Sequence, residues 1–286
     1  MDFNTLLQSA DIDPATVLVL RHSPKEAALF KVMPWLITDK PSTFNTYQQT
    51  QTPRVEKQMS RCKYVAAFFG HEGDKAAFVG LYERKGEKWI TREQLSRKPE
   101  HKELLKYAVD DTGPERLWFD LQLTDTFAGW QGKLIIRWPK PALVWSRWAD
   151  KNTFTVDAIL EESVFAEQLS DWRDLVFTWD ELNLMPKRWK DVLRHWHGVY
   201  FIWDEKDRKG YVGSACGSQG IYGRWVNYMK SGHGGNKLLK LRKPNKFQFS
   251  ILEWTPSDVE ESEILRRESL WKKRLHTRAP FGLNDN

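Results

Sequence analysis

The sequence predicts an α/β chain of the α+β kind, in two parts. A mainly β N-terminal part precedes a smaller part in which a short sheet is flanked by helices. Three observations carry this. Between residues 60 and 150, short aromatic and β-branched runs alternate with breaks containing Gly and Pro, as strands and turns do. Beyond residue 196, two extended runs enclose a charged turn and are followed by helix-spaced residues. Charge divides at a similar place: residues 1–186 carry a net −3 and residues 187–286 a net +9.

Residues 1–60 are mixed. Ser23-Pro24-Lys25-Glu26 reads as a turn or helix start, and the stretch from Thr38 to Arg54, rich in Thr, Gln, Ser and Pro, reads as an exposed loop. Tyr64 to Phe69 and Ala76 to Tyr82, separated by Gly70 to Asp74, predict a hairpin with a long turn. Leu117 to Leu123 and Leu134 to Trp138 predict two more strands, stopped by Pro139 and Pro141, and together these suggest a small barrel or strongly bent sheet. Trp118, Trp130, Trp138, Trp145 and Trp148 crowd this region; most are expected in a core, although stacking on bases is the other use of such rings. Residues 150–190, including Val164 to Leu169, look helical and transitional, with a hinge near Pro186-Lys187-Arg188. The expected division is therefore a domain over 1–165, a helical linker over 166–195 and a second domain over 196–286.

In the second domain, Gly198 to Trp203 predicts a strand, Asp204 to Gly210 a charged turn, and Tyr211-Val212-Gly213 a returning strand, so Tyr200 and Tyr211 can share one face. A helix over Ile221–Lys230 puts Arg224 and Tyr228, four apart, on one side, and Ser231-Gly232-His233-Gly234-Gly235 ends it. Phe247 to Trp254 alternates as a half-buried strand. Ser257 and Glu260 are spaced as a capping box for a last helix, whose apolar stripe is Ile264, Trp271 and Leu275. Glu268 lies on that stripe, where a carboxylate needs a metal or a cation, with Arg224 and Lys272 the candidate partners.

The composition narrows the rest. The chain of 286 residues is 41% hydrophobic and 29% charged, which supports a core and excludes wholesale disorder. Cys62 and Cys216 are too few for a disulfide framework or a four-cysteine zinc site and are expected as inert thiols. His195 and His197 have no evident third metal ligand. No apolar run is long enough to cross a membrane, and Met1 to Pro14 lacks the features of a signal peptide, so a soluble cytoplasmic protein of a bacterium or phage is expected. Lys230, Lys237, Lys240, Arg242, Lys243 and Lys246 form a run without an acid, the footprint of a polyanion such as DNA or, alternatively, a solvated loop.

The segment Gly198-Val199-Tyr200, ten residues, then Tyr211-Val212-Gly213 resembles the signature of the GIY-YIG nuclease superfamily. Arg224, Tyr228, Glu268 and Asn284 follow in that family's order. The resemblance covers residues 196–286. Ser214 stands where some members carry Lys, and His233 is a looser match to a further His. It implies a DNA endonuclease using Mg2+ or Mn2+ held by Glu268, with Arg224 on the phosphate, Tyr200 as the base, Tyr211 and Tyr228 orienting water and phosphate, and Asn284 positioning within the site. By analogy, residues 1–165 would choose the DNA, in restriction or phage defence, and a homodimer would serve to cut both strands. A structure-specific repair nuclease, a non-catalytic nucleic-acid binder and an RNA-directed enzyme are the alternatives. The six filled positions weigh against the binder, and no helix-hairpin-helix signature supports the repair role.

Overall fold

The computed structural model describes residues 1–107, 113–166 and 171–285, and the chain divides into two compact units, residues 1–167 and 168–286.

The first unit runs α1 (Phe3–Ser9), β1 (Val17–His22), α2 (Ala27–Asp39), α3 (Pro41–Gln48), α4 (Pro53–Met59), β2 (Tyr64–Gly70), β3 (Lys75–Thr91), α5 (Arg92–Ser96), α6 (Pro99–Leu105), β4 (Glu115–Leu123), β5 (Leu134–Arg137), β6 (Ser146–Trp148) and β7 (Val156–Ile159). Its sheet has the order β6-β1-β2-β3-β5-β7, with β4 paired to the far part of β3. Among the described residues β6 and β7 do not pair, so the sheet is open and not a closed barrel. The expected hairpin is β2–β3, in the register Phe69↔Ala77. β1 and β2 are parallel, which requires a crossover, and α2, α3 and α4 supply it.

Those helices correct the expected loop at Thr38–Arg54. Pro41 and Pro53 are the first residues of α3 and α4. A proline there gives up an N–H that the first turn cannot use and arrives with a helical φ, so it starts helices and does not break them. The apolar residues that each helix buries, Phe44 in α3 and Val55 and Met59 in α4, are too few to show a period in sequence. Phe3, Phe68 and Phe78 sit at the centre of the core, Phe68 edge-on to both others at 5.3 Å. Trp118 and Trp138 are buried; Trp130 stacks on Phe127 at 4.9 Å and packs against the core, whereas Trp145 and Trp148 stay half-buried. Burial pushes the Cys62 thiol up to about 11, as expected of an inert cysteine.

The second unit runs β8 (Val176–Thr178), α7 (Trp179–Leu184), α8 (Lys187–His195), β9 (His197–Asp204), β10 (Lys209–Ala215), α9 (Gly220–Ser231), β11 (Phe247–Thr255) and α10 (Glu261–Arg274). Its antiparallel sheet has the order β10-β9-β11-β8. Strand β8 pairs with β11 through Phe249↔Phe177, so the segment expected as a linker is built into this unit. Residues 164–166 form a turn and not the expected helix, and 167–169 lie outside the described residues. The expected hinge at Pro186 is the N-terminal boundary of α8. α7 opens with a true capping box: Thr178 Oγ1 accepts from the Glu181 N–H, and Glu181 Oε2 accepts from the Thr178 N–H at 2.7 Å. The one expected at Ser257 and Glu260 is absent, because the chain turns after Pro256 and α10 starts at Glu261 with no side-chain cap. Among the described residues, no helix is long and apolar enough to cross a membrane.

Candidate active site

The hairpin β9–β10 sets the register of the site. Tyr200 faces Gly213, and Tyr211 faces Ile202, so the two tyrosines lie two positions apart on one face. Gly213 is required there: a Cβ would fall 2.4 Å from the Tyr200 hydroxyl oxygen. Gly198 has a stricter need. Its φ is +133°, and a Cβ would lie 2.0 Å from the carbonyl oxygen of Glu253, where β11 shifts register between Ile251 and Glu253. A Gly198→Ala chain should lose about 3 kcal/mol or more of stability, because strain in φ adds to a clash with backbone that cannot move aside. Urea unfolding of this variant at parental stability would refute the close approach.

Helix α9 brings Arg224 and Tyr228 over the hairpin. The Tyr200 and Tyr228 hydroxyls are 3.0 Å apart, and the Tyr228 ring lies edge-on to Tyr200 and Tyr211, at 6.1 and 6.3 Å. All three tyrosines are buried, and burial is the first cause that pushes their hydroxyls above the usual tyrosine value. Tyr211 pushes Tyr200 further up, and the Arg224 guanidinium opposes this. Tyr200 in turn holds the charge on Arg224. Arg224 Nε is buried with no hydrogen-bond partner among the described residues, a donor left over for a ligand oxygen. The cluster can therefore hold a tetrahedral anion at a guanidinium fork beside three neutral hydroxyls.

Glu268 closes the cluster from α10. Its charge acts on Tyr211, as does that of Arg224. Ser214, at the end of β10, donates its Oγ–H to Glu268 Oε2, and Lys272 Nζ lies 2.9 Å from Oε1. This corrects the stripe expected for α10. The inward residues are Ile264, Glu268 and Lys272, each four apart, whereas Leu275 is exposed and Trp271 turns its indole N–H to Glu253. Ile264 is completely buried, and Glu268 and Lys272 above it pair with each other, so the stripe turns from apolar to ionic along its length.

Asn284 is buried beside the edge strand β10, where the Val212 N–H donates to its Oδ1 at 3.0 Å and its Nδ2 donates to the Val212 carbonyl at 2.8 Å. Both ends of the amide bond the strand that carries Tyr211 and Gly213, so Asn284 clips that strand. His233 is also occupied locally: its Nδ1 accepts the Gly235 N–H at 3.0 Å, within the loop that ends α9. Of the basic run, Lys230, Lys237, Lys240, Lys243 and Lys246 are exposed. Arg242 is not available in the same way, because it is half-buried and paired with Asp207.

Sequence reasoning missed Ser214 as a Glu268 partner and the contact of the Cys216 thiol with Glu261 Oε1 at 3.2 Å. Both follow from α10 lying along the end of β10, which no local spacing encodes. His195 uses its ring against the Asp191 carbonyl, and among the described residues no three or more His, Cys, Asp or Glu side chains gather as a metal centre.

A profile of the GIY-YIG catalytic domain matches residues 196–284. Two solved structures are similar to part of the chain: the catalytic domain of the homing endonuclease I-TevI and a point mutant of the catalytic domain of intron endonuclease I-TevI. Each is 30% identical with a TM-score of 0.27 and covers 32% of this chain, against 98% and 94% of its own length. No curated protein matches the chain.

Proposed function

Since the chain belongs to the GIY-YIG family through residues 196–284, we propose that it is an endonuclease that hydrolyses phosphodiester bonds of double-stranded DNA with Mg2+ or Mn2+. The observation that carries this is the meeting of Tyr200, Tyr211, Arg224, Tyr228 and Glu268 in one cluster, drawn from two strands and two helices.

Glu268 suits a hard divalent ion. It offers one carboxylate, and the described residues hold no cluster of further acidic, His or Cys ligands, which fits an ion that keeps most of its waters. Such an ion would supply positive charge for the developing phosphorane and would acidify a bound water. The chain's own groups do the rest. Arg224 holds the scissile phosphate through its fork, with Nε as a donor already desolvated. Tyr211 and Tyr228 orient water and phosphate as hydrogen-bond donors, since burial keeps them protonated. For Tyr200 to act as the base it first gives its own hydroxyl proton to solvent, and the tyrosinate then takes the proton of the attacking water; burial disfavours that ionisation, and Arg224 favours it.

The exposed Lys237, Lys240 and Lys243 are the proposed backbone contacts. Replacing all three with Ala should weaken DNA binding uniformly across sequences and lower the slope of log K against log salt by about one per lost contact. A slope equal to the parent's would mean that these lysines are only solvated.

The first unit has its own core and lies outside the matched catalytic domain, which supports a role in choosing the DNA, as restriction or phage defence requires. Cutting both strands with one site per chain then needs a homodimer or two successive events. One experiment tests the reading: plasmid cleavage with Mg2+, with and without EDTA, by the full chain and by residues 168–286, on modified and unmodified DNA. Cleavage that EDTA stops, with discrimination only in the full chain, is the expected result. No cleavage under any condition would refute the nuclease reading, and equal discrimination by both chains would refute the targeting role.

A further inference from the structure

Lys272 has no part in the chemistry described so far. It is 7% exposed, one turn beyond Glu268 on the inward stripe of α10, with Nζ 2.9 Å from Glu268 Oε1. Ser214 Oγ donates to the other oxygen, so the carboxylate is gripped at both ends, and one grip is a full positive charge. A buried ion pair is a poor device for stability, because apolar residues of similar volume do as well or better. Ile264, one turn before Glu268 on the same stripe, is such an apolar residue. The cost of burying Lys272 therefore points to the carboxylate it holds.

We propose that Lys272 is the positioning residue of Glu268: it aims the carboxylate and lowers its affinity for a divalent ion. This rests on the reading of Glu268 as the metal ligand. The physical basis is short. An ammonium at hydrogen-bond distance from one oxygen and a divalent ion on the same carboxylate repel each other across a few ångströms of largely desolvated space. The ammonium also directs Oε1, and the Ser214 hydroxyl directs Oε2, which leaves the ion only the remaining lone pairs. The ion is then weakly held and easily exchanged, and the carboxylate needs no reorientation when the ion arrives.

The test is a Mn2+ titration of the full chain without DNA, with the free ion read by electron paramagnetic resonance. Lys272→Met and Lys272→Gln should bind Mn2+ about tenfold more tightly than the parent, the order expected when one unit charge close to the site is removed. Lys272→Arg, which keeps the charge, should bind as the parent does. Affinity in the neutral variants equal to or weaker than the parent's would overturn the proposal. Glu268→Gln separates the two readings. If it abolishes Mn2+ binding while the neutral Lys272 variants behave as the parent, only the Lys272 inference fails. If it leaves Mn2+ binding intact, Glu268 is not the ligand and both fail. If neither neutral variant folds, the Nζ resonance of Lys272 in the 15N-lysine-labelled parent decides: it should move on addition of Mg2+, and a resonance that stays in place would overturn the proposal.

Discussion

A Glu268→Gln chain should bind DNA as the parent does and cut it more than about a hundredfold more slowly at saturating Mg2+, because the carboxylate proposed to hold the ion is gone. The amide keeps the shape of the side chain, and its oxygen can still accept from Ser214. It cannot answer the charge of Lys272, which is buried beside it, the side chains being 8% and 12% exposed. Leaving one member of a buried pair without its counter-charge costs up to about 3–5 kcal/mol, less here because an amide oxygen remains as acceptor. Cleavage is therefore to be measured well below the melting temperature of the variant, with binding followed by gel shift in the same samples. A rate above about a tenth of the parent's would remove Glu268 as the metal ligand.

Arg224→Ala should also cost about 10²–10⁴ in rate, through two routes. The phosphate would lose the fork of donors proposed for it, and Tyr200 loses the positive charge that opposes its burial. The sign of the second route is definite. Burial and Tyr211 raise Tyr200 and Arg224 lowers it, so removing Arg224 raises Tyr200 further. If Tyr200 takes the proton of water, the residual activity must therefore rise at higher pH than in the parent. Arg224→Lys should restore the pH profile in part, because it returns a charge, but little of the rate, because a point charge does not replace the fork. Near-parental activity in the Lys variant would reduce Arg224 to a charge, and an unshifted profile in the Ala variant would separate it from Tyr200.

Much of the second unit was legible before its structure. Gly198, Tyr200, Tyr211 and Gly213 read as a hairpin because two short extended runs flank a charged turn, and the strands pair in that register. Arg224 and Tyr228 read as one helix face because four residues make about one turn. The first unit was less legible. Helices α3 and α4 hide among polar residues, since each buries only one or two apolar side chains and has a proline at its first position, which in sequence resembles a break.

Periodicity determined which residues share a strand or helix face, and it brought Tyr200 and Tyr211, Arg224 and Tyr228, and Glu268 and Lys272 together as local pairs. Which pairs meet was decided only in three dimensions. Asn284 follows the motif in sequence, and its amide bonds both backbone groups of Val212, because a buried amide must satisfy both of its ends. Arg242 stands in a basic run and yet pairs with Asp207. Ser214 and Lys272 come from different elements to grip one carboxylate, because α10 packs with Ile264, Glu268 and Lys272 facing inward. Local spacing sets the direction a side chain leaves its own element. The packing of that element against its neighbours sets what the side chain touches, and a partner 54 residues away, as Ser214 is from Glu268, is beyond the reach of any helix or strand period.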